Sequence, residues 1–305
     1  MTRVLVTGAS GFVGRRVLPA LVERGLEVYA VSARGPASGL SPSQVRWLEA
    51  DLLDAASAEA LVAAVRPTHL LHLAWYAVPG RYWTAPENSL WADAGVRLLR
   101  AFADHGGRRA VMVGTCAEYD WSGGVCTEDV TPLRPSSPYS RAKHELATLA
   151  QPLSAELGVS FAWGRIFFLH GPAEHPARLV ASVARSLLAG ERVAVTHGRQ
   201  VRDFLHTDDA AAALAALLVG DFSGSVNIGS GTGVTIERVV RYLGEAAGRP
   251  DLIAMGKRPA PPDEAPAIVA DPERMRTEVG WAPALSVEEG LERTLAWWRD
   301  EVAGG

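Results

Sequence analysis

Short runs of β-branched and apolar residues alternate along the first half of the chain with stretches whose apolar positions recur every three or four residues. The runs are RVLVT at 3–7, EVYAVS at 27–32, VRWLEA at 45–50, HLLHLA at 69–74 and AVMVGT at 110–115. The helical stretches are FVGRRVLPALVERG at 12–25, a segment around 58–65 and another over 90–103. This alternation is the pattern of parallel strands joined by crossover helices, so an α/β fold with a Rossmann-type doubly wound sheet is predicted. Gly25 stops the first helix once its apolar face is complete. A further helix is predicted from 137 to about 158, with Pro152 expected to kink or split it, and a strand follows at SFAWGRI, 160–166.

Beyond Gly171 the rhythm gives way to mixed helices, short strands and the Pro-rich stretch KRPAPPDEAP at 257–266, which reads as a surface connection. The expected organisation is a first domain over 1–164 and a smaller mixed α/β lobe over 165–305. The two interleave, because the Ala- and Leu-rich segment at 202–220 is expected to pack back on the first domain.

Composition narrows the class of partner. The chain has 305 residues, of which 48% are hydrophobic, enough for a sizeable core. Its formal charge of −4, with no run of Lys or Arg, speaks against wrapping nucleic acid or coating an anionic membrane, and points to small molecules or a second copy of the chain. Cys116 and Cys126 could form one bridge, but one bridge is no framework in a chain of this length, and reduced thiols in a cytoplasmic protein are expected. No uncharged apolar stretch of about 18 residues occurs, and the first strand is entered without a cleavable apolar segment, so a soluble protein is expected.

TGASGFVG, Thr7 to Gly14, falls between a predicted strand and a predicted helix. Gly8 permits a tight turn, Gly11 lets the backbone approach a pyrophosphate, and Gly14 lets the helix pack closely, while the helix N-terminus attracts negative charge. The strand that decides between nicotinamide cofactors ends here in Ser32, Ala33 and Arg34, where a ribose-binding enzyme would carry Asp or Glu. A hydroxyl and a guanidinium suit a 2′-phosphate, so NADP(H) is predicted. Asp51, after the third strand, resembles an adenine contact or is a plain turn residue.

Tyr139 and Lys143, in SSPYSRAKHE, lie four residues apart and therefore on one helical face. An ammonium beside a phenol lowers the cost of phenolate and tunes the tyrosine toward proton exchange.

With TGASGFVG, HLAW, VGTCAEY, YSRAK, RIFFLHGP, RDFLHTDD, NIGSG and GWAP in this order across nearly the whole chain, the sequence resembles the extended short-chain dehydrogenase/reductases of the nucleotide-sugar epimerase, dehydratase and reductase group. The resemblance implies Tyr139 as catalytic acid/base, Lys143 as its partner and a contact of the nicotinamide ribose, and Thr115 as the hydroxyl bonded to the substrate oxygen. It also implies cofactor contacts at Gly8, Ser10, Gly11, Phe12, Val13 and Gly14, at Ser32 and Arg34, at Asp51 and Leu52, and at Leu73 and Ala74. A homodimer built on the helix bearing Tyr139 and the one before it is expected on the same ground, as apolar faces of two adjacent helices form a four-helix seam.

The resemblance favours an NADPH-dependent 4-ketoreductase acting on a nucleotide-linked 4-keto-6-deoxyhexose, of the kind that includes CDP-abequose synthase. A 4-epimerase or 4,6-dehydratase with retained cofactor is the alternative, and a non-catalytic dinucleotide sensor the third. Dehydratases follow the Thr with an acidic pair, whereas Thr115 is followed by Cys116 and Ala117, with Glu118 one place later. Epimerising reductases carry Cys two places after the hydroxyl and a downstream His; here Ala117 and Arg178 take those positions, with Cys116 and His175 close by. The substrate set is Trp75, Thr115, Cys116, Arg202 and Arg258, the two arginines as a diphosphate clamp. Trp75, Tyr76 and Trp83 either wall the sugar or belong to the core. Asp203, His206, Asp208 and Asp209 match a structural motif of the family, and no metal is predicted.

Overall fold

The computed structural model describes residues 2–33, 35 and 45–304. From the N-terminus run β1 (Arg3–Thr7), α1 (Gly14–Val22), β2 (Glu27–Ser32), β3 (Val45–Glu49), α2 (Ala55–Val65), β4 (His69–His72), α3 (Glu87–Asp104) and β5 (Arg109–Thr115). After the short β6 (Val125–Cys126) come α4 (Pro138–Glu156), β7 (Ser160–Ile166), β8 (Phe168–His170), α5 (Leu179–Leu188), β9 (Val193–Ala194) and β10 (Val201–His206). The chain ends with α6 (Thr207–Val219), β11 (Gly224–Ile228), β12 (Gly233–Thr235), α7 (Ile236–Ala246), β13 (Ile253–Ala254), β14 (Ala267–Ala270), α8 (Glu273–Thr277) and α9 (Val287–Gly304).

Seven parallel strands form one sheet in the order β11-β7-β5-β4-β1-β2-β3. The strands are nearly continuous apolar runs because helices cover both faces, as a buried parallel sheet requires. One face packs with α1 and α6 through Val17, Leu18, Leu21, Leu214 and Leu218. The other packs with α2, α3 and α4 through Leu61, Leu98, Leu99, Phe102 and Leu146. This is the doubly wound arrangement that the alternating runs predict.

Residues 207–228 carry the chain back to this sheet, with α6 against α1 and β11 paired to β7. A smaller sheet, β12-β10-β14-β6 with β8 on β10, stands beside the first. Helices α5, α7 and α9 close around it, with Val183, Leu187, Val240, Leu243, Leu291 and Trp298 at their centre.

Helix α4 runs through Pro152 as one element, so the proline does not split it. Pro152 and Thr148 both lie on the exposed side, so the Thr148 carbonyl that loses its helical partner faces solvent and the cost of the missing N–H is small.

Candidate active site

The strand order reverses between β1 and β4, and the crevice at the carboxyl ends of such strands is where open α/β sheets bind ligands. The Thr7 hydroxyl bridges the two strands there. It accepts from the N–H groups of Leu73 at 3.2 Å and Ala74 at 3.3 Å, and lies 2.8 Å from Nδ1 of His72. Burial pushes His72 down to about 3, helped by Lys143, so the ring is neutral.

The glycine loop leaves this point with Gly8 at φ +65, where a β-carbon would lie 2.7 Å from the Ala74 nitrogen. A β-carbon on Gly14 would overlap the Gly8 carbonyl. The backbone thus forms a cradle at the start of α1, with Ser10, Gly11, Phe12 and Val13 making the turn; it fits a dinucleotide pyrophosphate. Ser10 Oγ donates to Ser32 Oγ at 3.0 Å at the end of β2. Arg15, which the sequence did not single out, folds over the loop and donates to the Ser10 carbonyl at 3.0 Å and the Gly11 carbonyl at 3.3 Å. Arg34 lies outside the described residues. Leu52 is buried, while Asp51 is exposed and caps its own turn by accepting from the Leu53 N–H at 2.9 Å.

Thr115 ends β5, and its hydroxyl accepts from the Ala117 N–H at 3.2 Å, starting a single 3₁₀ turn. Across from it, Ser137 caps α4 by accepting from the Ser140 N–H at 3.1 Å, and Pro138 opens the helix. Tyr139 therefore sits in the first turn, where its N–H has no helical partner; it donates instead to the Trp83 carbonyl at 3.2 Å. The Tyr139 ring meets Tyr82, Trp83 and Trp75 edge-on, with centroids 4.8, 5.6 and 6.4 Å away. Burial pushes the Tyr139 phenol up, with Tyr82 adding to it, while a hydrogen bond with Thr115 pulls it down.

Lys143, one turn on, is buried and donates to the Val113 carbonyl at 2.8 Å. Its Nζ also lies 3.7 Å from the centre of the Trp75 indole. Burial lowers the ammonium to about 7, with the Glu118 carboxylate acting against it. Tyr139, Thr115 and Lys143 are thus gathered at the carboxyl end of β5, beside the crevice.

Residues 4–229 match the model of the NAD dependent epimerase/dehydratase family, from β1 through the last strand of the large sheet. The chain belongs to that family. It is 30% identical to the dTDP-glucose 4,6-dehydratase of Streptomyces griseus, over 97% of this chain and 94% of the relative. It is 25% identical to a UDP-glucose 4-epimerase of Halalkalibacterium halodurans, over 99% of this chain and 97% of the relative. Among solved structures, the Thermus thermophilus UDP-glucose 4-epimerase in complex with NAD superposes with a TM-score of 0.86 at 28% identity, covering 98% of this chain and 99% of that one.

Against that family background, several neighbours of the triad are committed elsewhere. Glu118 is fully buried; it accepts from the Thr115 N–H at 2.8 Å and from Arg165 Nε at 2.9 Å, and Trp163 Nε1 lies 3.2 Å from both its oxygens. The Cys116 thiol is buried among Tyr119, Cys126 and Phe167, and burial pushes it up, far from thiolate. His175 is exposed and accepts from the Ala177 N–H at 3.2 Å.

Arg202 is buried and paired with Glu264 of the Pro-rich stretch at 3.0 Å, whereas Arg258 is exposed. Trp75 and Tyr76 are half-buried and Trp83 is exposed. Asp203 accepts from the N–H groups of Ser230, Gly231 and Ala270, and Asp209 from those of Ala284 and Leu285. Among the described residues no group of three His, Cys, Asp or Glu is arranged to hold a metal, and no helix is long and apolar enough to cross a membrane.

Tyr82 was missed by sequence reasoning, and Arg178, noted there only as standing where a relative would carry His, turns out to face it. The Arg178 guanidinium lies 5.3 Å above the Tyr82 ring, and its charge and hydrogen bond oppose the upward push of burial on that phenol. Behind them the buried Glu174 carboxyl is raised to about 8 by burial, with Arg178 acting against it. The aromatic run RYW at 81–83 was the available signal, but which of its rings turns inward depends on the loop.

Proposed function

We propose that the protein exchanges hydride at C4 of a nucleotide-diphosphate hexose, in the manner of a 4-epimerase that retains its dinucleotide. A bound nicotinamide supplies the hydride acceptor and donor. Tyr139 takes the proton from the C4 oxygen and returns it, Thr115 gives that oxygen a second hydrogen bond, and Lys143 holds the cofactor's ribose. The observation that carries this reading is the commitment of Glu118 to Arg165. With that carboxylate locked and the Cys116 thiol held protonated, neither side chain of the turn after Thr115 is free to remove a second proton, which suits exchange at one carbon better than elimination across two.

A second reading, NADPH-dependent reduction of a nucleotide-linked 4-keto-6-deoxyhexose, is favoured by the end of β2. There Ser32, bonded by Ser10, takes the place of a carboxylate that would repel a 2′-phosphate. Arg202 and Arg258 serve the substrate diphosphate in either reading, with Glu264 yielding Arg202 when substrate enters. A homodimer through the outer faces of α3 and α4, where Leu90 and Leu149 are exposed, is part of the proposal, and sedimentation showing a monomer at micromolar protein would remove it.

The deciding experiment releases the nucleotide from denatured, freshly purified protein and assays UDP- and dTDP-hexoses against 4-keto-6-deoxyhexoses. Co-purified NAD with interconversion of C4 epimers supports the first reading. A nucleotide-free protein that oxidises NADPH with a ketosugar establishes the second, and release of an unsaturated or 4-keto product from a hexose refutes both.

A further inference from the structure

We propose that Trp75 is the positioning residue of Lys143: its indole face holds the ammonium in place and favours the charged form. This deepens the reading of Lys143 as part of the reacting site and rests on it. Lys143 is 3% exposed, and one of its N–H groups goes to the Val113 carbonyl. The indole, 3.7 Å from Nζ, stands where water would otherwise solvate the cation, and a ring quadrupole is worth most to a desolvated cation.

The indole is itself held. Its Nε1 donates to Asn88 Oδ1 at 2.8 Å, and the buried Asn88 amide donates to the Tyr82 carbonyl at 2.7 Å and the Ala85 carbonyl at 2.9 Å. Trp91 lies against the ring with centroids 6.5 Å apart. The loop after β4 is thus tied through Asn88 and Trp75 to both Lys143 and Tyr139, so the placement of this loop sets the geometry of both. The other titratable and charged groups that act on Lys143 are Glu118, from the turn after β5, which favours the ammonium, and His72 of β4, kept neutral by burial. Tyr139 is the titratable neighbour on its own helix. Burial lowers the ammonium to about 7, with Glu118 acting against it.

Lys143 and Lys257 are the two lysines of the chain, which allows a direct test. In a Lys257→Arg background, lysine labelled with carbon-13 at Cε reports Lys143 alone, and its chemical shift is followed against pH. Trp75→Leu should titrate about one pH unit below the parent protein, and Trp75→Phe, which keeps a ring, should recover most of the difference. Should Trp75→Leu fail to fold, biosynthetic fluorotryptophan, which weakens the quadrupole with little change of shape, should lower the titration in the same direction. A Lys143 that titrates at or above the parental pH in Trp75→Leu, or is unmoved by the fluorinated ring, overturns the proposal. The reading of Lys143 fails separately if Lys143→Met binds dinucleotide and turns over like the parent while the titration result stands.

Discussion

Glu118 and Arg165 meet at 2.9 Å with both side chains buried, directly behind the backbone of Thr115. Removing one member of such a pair strands the other charge. Glu118→Gln should therefore destabilise the protein by about 3–5 kcal/mol, read as a lower midpoint in urea with an unchanged slope. A variant as stable as the parent would mean that the pair carries no stability, and would reopen Glu118 as a chemical group.

Tyr139→Phe keeps the ring among Tyr82, Trp83 and Trp75 but removes the proton donor. Turnover should fall by on the order of a hundredfold or more while dinucleotide affinity, measured by calorimetry, stays nearly the same. Thr115→Val should cost less, because it removes a hydrogen bond and leaves the acid. Lys143→Met should damage both turnover and cofactor binding. Wild-type turnover in Tyr139→Phe would return Tyr139 to the status of a packing residue.

Cofactor choice is read most directly at the end of β2. Under the NADPH reading, Arg34→Asp and Ser32→Asp each replace an expected phosphate partner with a like charge, so each should weaken NADPH far more than NADH. Equal losses for the two cofactors, or a parent that already prefers NADH, would show that these residues do not face the 2′ position.

Lys143 gives the protein a defined pH response. Its folded value of about 7 lies below the ordinary lysine value of 10.5, so between those limits the unfolded chain binds more protons and stability rises with pH. The lysine's penalty is fully present below about 7 and is relieved by the upper limit. The difference in unfolding free energy between the parent and Lys143→Met, which cancels other titrating groups, should change by a few kcal/mol across this window in the parent's favour as pH rises. A flat difference would place Lys143 in water.

The sheet, the glycine cradle and the start of α4 were legible in the sequence because each rests on local periodicity or on a backbone demand. Apolar runs predict β1 to β5 and β7, Gly8 answers to a left-handed φ, and Ser137 with Pro138 answers to a helix start. The Tyr-x-x-x-Lys spacing likewise placed Tyr139 and Lys143 on one helix. What those side chains then do was decided by tertiary contacts with distant segments. Lys143 was expected to act chiefly on its helical neighbour, yet its ammonium is engaged by Val113 of β5 and by Trp75 from the loop after β4. Glu118 looked available two places beyond Cys116, until folding brought Arg165 of β7 against it. Arg202 looked like a phosphate ligand, and the Pro-rich stretch supplied Glu264 as its partner. Periodicity reports which face of an element is buried; which charge or ring waits there depends on loop closure between segments tens of residues apart, which no local pattern records.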